Sequence, residues 1–273
     1  MDEKRGNGMN VLAADIGNSN IVAGFFDGDR LVTSVRMPTQ RKWTAQSMLR
    51  EMTEAMARKG LDPDHLKGAG SVFSSVVPEL DGMLTEALAR GTGHVPLRAQ
   101  ASLDAGFSTG RYDVSLLGTD RIVDMAAAMA FYGSPIMVCD LGTATTVSVV
   151  DRKRRFVGGM IAAGVQLGLD ALAERTAQLP QLEAEGTDVL LGEDTIACMR
   201  SGSAAACGIM LDGAVERAAE ELHEPDLRLV VTGGLGRLVL PWIRRPVTYD
   251  PDLLLKGLLI LYRNNAPDGK VKA

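Results

Sequence analysis

The side chains best placed by type and spacing to do chemistry lie in Cys139-Asp140-Leu141-Gly142-Thr143-Ala144-Thr145-Thr146. Apolar runs flank them, Ile136-Met137-Val138 before and Val147-Ser148-Val149-Val150 after, so the stretch reads as the tight turn of a β-hairpin. Its one carboxylate then stands at the end of the first strand. A turn of Gly and small hydroxyl residues offers backbone N–H groups and Oγ donors with almost no bulk, which suits a phosphate lying against the main chain. Asp140 would repel a bare phosphate, so its presence calls for a divalent cation between the two, as in phosphoryl-transfer sites generally. The stretch reads as a metal and phosphate cradle, with an ordinary polar turn as the bland alternative.

The same order of residue types occurs near the start of the chain. Val11-Leu12-Ala13-Ala14 runs into Asp15-Ile16-Gly17-Asn18-Ser19-Asn20 and leaves through Ile21-Val22-Ala23-Gly24-Phe25-Phe26. Two such units half a chain apart point to a duplicated domain, its two tips facing one another across a cleft with ATP held between. A third carboxylate, Asp120, lies in Gly118-Thr119-Asp120-Arg121, which opens a predicted helix with Thr119 as N-cap and Gly133 as stop. Ile122, Met125, Ala126 and Met129 share one face of it. In the first turn the macrodipole favours an ionised carboxylate. Acidic residues are favoured there whatever the function, but this helix leads directly into the Asp140 hairpin.

The elements that must position these groups alternate between strand and helix, the pattern of an α/β fold. Three strands open the chain, the second and third joined at Asp27-Gly28, a type I′ turn signal. Helical spacing then runs over 44–59 with Gly60 to end it, a strand lies within 69–77, and a helix covers 79–90. In the second half a strand is predicted over 156–164, and a helix over 165–174. An Ala-, Gly- and Met-rich helix or helix pair follows over 195–222, its small residues serving packing or a subunit interface. A strand ends at Thr232-Gly233-Gly234, and a last helix covers 253–264.

Composition narrows the class. The 273 residues are 46% hydrophobic and 23% charged, with a net charge of −5, which gives no electrostatic case for nucleic acid or an anionic membrane. Cys139, Cys198 and Cys207 lack CxxC spacing, and His65, His94 and His223 lack metal-ligand spacing. The polar residues 1–8 lack the apolar core of a signal peptide, and the apolar run near the C-terminus, interrupted by Lys256, is shorter than the ~20 residues a bilayer requires. The expectation is a soluble cytoplasmic protein.

From about Val11 to Asn264 the chain resembles the type III pantothenate kinases of the acetate kinase/sugar kinase/Hsc70/actin superfamily. Asp15 to Asn20 is similar to that family's first phosphate motif and Asp140 to Thr146 to its second, DxGTATT. Gly118-Thr119-Asp120-Arg121 resembles its GxDR signature, Ser74-Ser75-Val76-Val77-Pro78 its strand end, and Thr232-Gly233-Gly234 its adenosine motif. Asp194-Thr195 with Met199, Ser201 and Gly202 is similar to its NTxxAMxSG segment, and Asp250-Pro251-Asp252-Leu253 with Gly257-Leu258 to its C-terminal signature.

The resemblance implies two actin-like (ribonuclease H-like) domains, 9–117 and 118–273, with mixed sheets. It implies a kinase that phosphorylates the primary hydroxyl of pantothenate, the first step toward coenzyme A. ATP would be bound by Asp15, Gly17, Asn18, Ser19, Asn20, Gly142, Thr143, Thr145, Gly233 and Gly234, with Asp15 and Asp140 serving Mg2+. Pantothenate would meet Gly118, Thr119, Asp120, Arg121 and, from a partner subunit, Thr195, with Asp120 orienting or deprotonating the attacking hydroxyl. A homodimer and a monovalent cation, K+ or NH4+, are further implied.

Three departures from the family pattern stand out. No Asn-Pro precedes Gly118, Ala163-Gly164 replaces Pro-Gly, and Ser19 replaces Thr. The first bears on the pantothenate pocket, the second on a cleft-lining turn, and the third keeps its hydroxyl. Two other readings stay open: a kinase of another small hydroxylated substrate, and a regulatory or accessory relative.

Overall fold

Apolar residues fill both faces of the first strand, as a central strand requires. In the computed structural model, which describes residues 9–110, 112–113 and 116–266, Leu12, Ala14 and Ile16 bury one face of β1 (Asn10–Ile16) and Val11 and Ala13 the other. The leader 1–8 lies outside the described residues, as do Val114 and Ser115 in the segment without a proline. β2 (Asn20–Asp27) and β3 (Arg30–Pro38) extend the sheet as an antiparallel meander. Of the two turn residues between them only Gly28 takes a positive φ (57°), so the turn is not the expected type I′, which needs positive φ at both.

α1 (Ala45–Arg58) starts at a Thr44 capping box closed by Ser47, and Gly60 follows its end at φ 90°. β4 (Gly70–Ser75) lies parallel to β1, α2 (Pro78–Thr92) starts with proline at its first position, and β5 (Leu97–Arg98) adds the last strand. The sheet order is β3-β2-β1-β4-β5. Met48, Met52 and Met56 of α1 and Leu80, Leu84 and Leu88 of α2 pack on Leu12, Ile16, Phe25 and Phe73.

α3 (Thr119–Tyr132) ends at Gly133, φ 78°, as predicted. Its start differs by one residue. The Gly118 carbonyl accepts the first helical bond, from the Ile122 N–H at 3.3 Å, so Thr119 is inside the helix and Gly118 takes the cap position.

β6 (Ile136–Leu141), β7 (Ala144–Val150) and β8 (Phe156–Ala163) form a second antiparallel meander. α4 (Val165–Arg175) follows, and then one helical run: α5 (Thr195–Arg200), a wide π segment at Ser201–Ala205, and α6 (Ala206–Leu222). This settles the helix or helix pair as a single run. β9 (Arg228–Thr232), α7 (Gly236–Val239), β10 (Val247–Tyr249) and α8 (Leu253–Asn265) complete the chain. β9 is parallel to β6, and β10 to β9, giving β10-β9-β6-β7-β8. Read from the other edge, this repeats the order and strand directions of the first sheet.

The chain forms two compact units. The first holds the residues up to Ala105, α3 through Ala127, and α8 from Leu254. The second holds the segment 106–113 and everything from Ala128 to Leu253. In the first unit α8 lies against the sheet face that α1 and α2 leave: a Cβ on Gly24 would fall 2.7 Å from Leu255 Cδ1, and one on Gly70 would strike the Tyr262 ring. α8 also meets α3 closely, since a Cβ on Gly257 would lie 2.7 Å from the carbonyl carbon of Val123. In the second unit Met137, Cys139, Leu141, Val147 and Val149 pack with Leu211 and Val215 of α6. Among the described residues no helix is long and apolar enough to cross a membrane.

Candidate functional site

In the first unit, strand alternation puts Asp15 on the face of β1 that carries Val11 and Ala13. It is the last residue but one of the strand and sits opposite Ser74 in the parallel register with β4. Ser74 is buried, and its hydroxyl donates to Asp15 Oδ1 at 2.6 Å, a short bond of the charge-assisted kind. The tip then turns through Gly17, whose N–H donates to the Asn20 carbonyl at 2.9 Å, leaving Asn18 and Ser19 exposed and Asn20 partly buried. Thr39, the residue after β3, holds this tip from outside. Its N–H donates to the Ser19 carbonyl at 3.0 Å and its hydroxyl to the Gly17 carbonyl at 2.7 Å.

The other group in the first unit is at the start of α3. Asp120 Oδ1 accepts from the Arg121 N–H at 2.9 Å, so the carboxylate folds back toward the helix start. A Cβ on Gly118 would strike that oxygen, so this glycine leaves the space the carboxylate occupies. Thr119 is partly buried beside it, and Arg121 is buried at 7% exposure.

The second unit repeats the first arrangement. Asp140 is the last residue but one of β6, opposite Thr146 on β7 and Thr232 on β9, as Asp15 is opposite Val22 and Ser74. Its carboxylate lies between two predicted glycines. Oδ2 is 3.8 Å from the place of a Cβ on Gly142, and Oδ1 blocks any Cβ on Gly233. Gly233 takes φ 90° and leaves 2.6 Å to the backbone of Leu141, so only glycine fits. Its carbonyl accepts from the Tyr249 hydroxyl at 3.2 Å, and the Arg237 guanidinium stacks 5.6 Å over that ring. Gly234 is exposed next to it.

The Gly142 N–H donates to the Ala144 carbonyl at 3.1 Å, and Thr143 is exposed at the tip. Gly164, the residue after β8, holds this tip: its N–H donates to the Thr143 carbonyl at 3.1 Å, and a Cβ there would lie 2.5 Å from the Gly142 oxygen.

Thr145 is not on the Asp140 face. It alternates with Val147 and Val149 toward α6 and is 1% exposed, beside Cys207. Burial pushes the Cys207 thiol up, and the Thr145 hydroxyl works against that shift. Thr195 is the first residue of α5, after Asp194, whose carboxylate caps the helix by accepting from the Ala197 N–H at 2.8 Å. It stands in the wall of a 990 Å³ cavity within the second unit, together with Ala163, Gly164, Met199 and Cys207.

Among the described residues no three His, Cys, Asp or Glu side chains cluster as metal ligands. Asp15 and Asp140 instead offer hard carboxylate oxygens singly, at strand ends beside small-residue tips. Either carboxylate by itself suits Mg2+, which is commonly held by one or two carboxylates together with substrate phosphates.

Ser74 has a sequence signal, since it ends an apolar run, but its bond to Asp15 needs the parallel register to be known. Thr39 and Tyr249 stand outside the motifs and carry no comparable signal.

A family model for type III pantothenate kinases matches residues 11–217. A relative from Agathobacter rectalis bearing that name is 35% identical over 259 residues, covering 95% of this chain and 99% of its own. Among solved structures, a protein from Campylobacter jejuni described as a Baf family transcriptional activator superposes with a TM-score of 0.57 at 18% identity, over 94% of this chain and 99% of its own. MreB 5 of Spiroplasma citri, bound to AMPPNP, gives 0.51 at 10% identity, over 98% of both chains. At such identities these two likenesses concern the fold alone, and the fold is the actin-like one, present twice.

Proposed function

The chain belongs to the type III pantothenate kinase family, and on that premise we propose that it transfers the γ-phosphoryl group of ATP to the primary hydroxyl of pantothenate, the first step of coenzyme A biosynthesis. The observation that carries this reading is the repetition of one device: a carboxylate one residue before the end of the central strand, followed by a glycine turn, in both units. Each tip, the one at Asp15 and the one at Asp140, offers phosphate oxygens its backbone N–H groups and an exposed hydroxyl, Ser19 in the first unit and Thr143 in the second. When bound, Mg2+ supplies positive charge against the phosphate oxygens. The turn at Gly233 and Gly234 offers bare backbone for the adenosine.

Asp120 is the catalytic group. Its carboxylate orients the pantothenate hydroxyl and accepts the proton as the new O–P bond forms and the bond from Pγ to the ADP oxygen breaks. A loose transition state asks little base strength of the carboxylate, and positioning does most of the work. Gly118 leaves that carboxylate its space, Thr119 lies alongside, and Arg121 supplies charge for the anionic substrate.

A homodimer, with Thr195 reaching a partner's pantothenate, is supported by β8. It is the edge strand of its sheet and exposes Val157, Met160 and Ile161, the last at 69%. A requirement for K+ or NH4+ and a cytoplasmic location complete the proposal.

The test is ATP-dependent phosphorylation of pantothenate by the purified protein with Mg2+, with and without K+, beside Asp120→Asn. The expected loss of kcat in the variant is about 10²- to 10⁴-fold with ATP affinity retained. Folded, ATP-binding protein without turnover would overturn the pantothenate reading and favour another substrate or a regulatory relative.

A further inference from the structure

The residue that follows the third strand does the same thing in both units. In the first, Thr39 comes directly after β3 and donates twice to the Gly17–Asn20 tip: N–H to the Ser19 carbonyl at 3.0 Å and hydroxyl to the Gly17 carbonyl at 2.7 Å. In the second, Gly164 comes directly after β8, donates its N–H to the Thr143 carbonyl at 3.1 Å, and leaves no room for a Cβ against Gly142 and Thr143. A hairpin tip of glycine and small polar residues has many backbone conformations, and a phosphate is held well only where its N–H groups are fixed beforehand. Carbonyls tied down from outside set the orientation of the peptides whose N–H groups lie on the opposite side.

From this repeated arrangement we infer that Thr39 and Gly164 are positioning residues for the two phosphate-binding tips, Thr39 by its hydroxyl and Gly164 by its bare Cα. The inference rests on the reading of those tips as phosphate cradles. Neither residue touches the reacting atoms. Both determine how well the tips receive nucleotide.

The first test is Mg-ATP affinity measured by equilibrium binding without pantothenate, followed by steady-state kinetics. Thr39→Val keeps the shape and deletes the hydroxyl bond, and its Kd and KM for ATP are expected to rise about tenfold, the effect of one lost hydrogen bond. Thr39→Ser keeps the donor and is expected within about twofold of the parent. Gly164→Ala, which displaces the tip itself, is expected to raise the same constants at least tenfold, roughly the loss of one well-made bond. In all three the KM for pantothenate stays at the parental value, a split that general damage to the fold would not give.

Parental ATP affinity in Thr39→Val, or equal loss in Thr39→Ser, overturns the role of the hydroxyl. Equal rises in both KM values overturn positioning in favour of a structural role. If the parent binds Mg-ATP without phosphorylating pantothenate, the proposed function fails while the binding comparison still decides this inference. If the parent binds no nucleotide, both fall.

Discussion

Replacing Ser74 by Ala separates the tie between Asp15 and its strand neighbour from the rest of the first unit. The Ser74 hydroxyl donates to Asp15 Oδ1 at 2.6 Å from a site that is 1% exposed. Hydrogen bonds to charged groups contribute roughly 1.5–3 kcal/mol. Asp15 is only partly buried, so water recovers some of the loss, and the lower end, about 1.5 kcal/mol, is expected. In a chain of this size about 1 kcal/mol moves the midpoint by roughly 2–4 °C, so thermal unfolding should drop by about 3–6 °C. The alanine fits the hole, and no backbone bond of β4 is disturbed. With that bond gone, the Asp15 carboxylate loses one of the constraints on its rotamer, so the KM for Mg-ATP should rise several-fold, roughly 1 kcal/mol in binding. Scanning calorimetry without nucleotide, followed by ATP kinetics, reads the two effects separately. A midpoint within about 1 °C of the parent together with an unchanged KM would refute the argument that this bond orders Asp15.

Three further substitutions probe packing and proton binding. Gly257→Ala gains up to about 1 kcal/mol of helix propensity but forces a methyl group onto the Val123 backbone, which cannot yield as a side chain can. Overpacking at about 1–3 kcal/mol wins, so urea unfolding should show net destabilisation, whereas Gly82→Ala, in open space on α2, should be neutral or stabilising. Tyr132 donates to buried Asp250 at 2.7 Å, and burial, then that bond, then the Asp250 charge push its hydroxyl up to about 12. The folded protein thus holds this proton more tightly than the unfolded chain. Its contribution is full below about pH 10 and is lost as pH rises from there toward 12. The stability gap between the parent and Tyr132→Phe, followed by denaturant unfolding, should therefore narrow across that interval. A gap that widens there would contradict the assignment.

Much of the candidate site's local geometry was legible because its signals are local. An apolar run, an Asp, a Gly and a second apolar run specify a hairpin with a carboxylate at its end, and the repetition at Asp15 and Asp140 revealed the duplicated sheets. The face of each side chain was less accessible. Thr145 and Thr146 are adjacent, yet only Thr146 shares a face with Asp140, and deciding between them requires a count of strand alternation back from Val147 and Val149. Contacts made in parallel register, Ser74 with Asp15 and Thr232 with Asp140, join residues far apart in the chain and have no local signature. The start of α3 shows a third limit. Thr119 is the better capping side chain, yet the first helical bond goes to the Gly118 carbonyl, at a position where a Cβ would meet the Asp120 carboxylate.

The place of α8 bears on the birth of the molecule. β1, β2 and β4 leave the ribosome early, yet Leu255 and Tyr262, which cover Gly24 and Gly70, are made roughly 190 to 230 residues later. Until then the nascent first unit carries an uncovered apolar sheet face, while the second unit has every strand it needs once Tyr249 has emerged. The later-encoded half is thus the first able to finish folding, against the usual N-to-C order of synthesis. A chain truncated just before Leu253 would keep the Asp140 half and expose one face of the Asp15 half to chaperones and proteases.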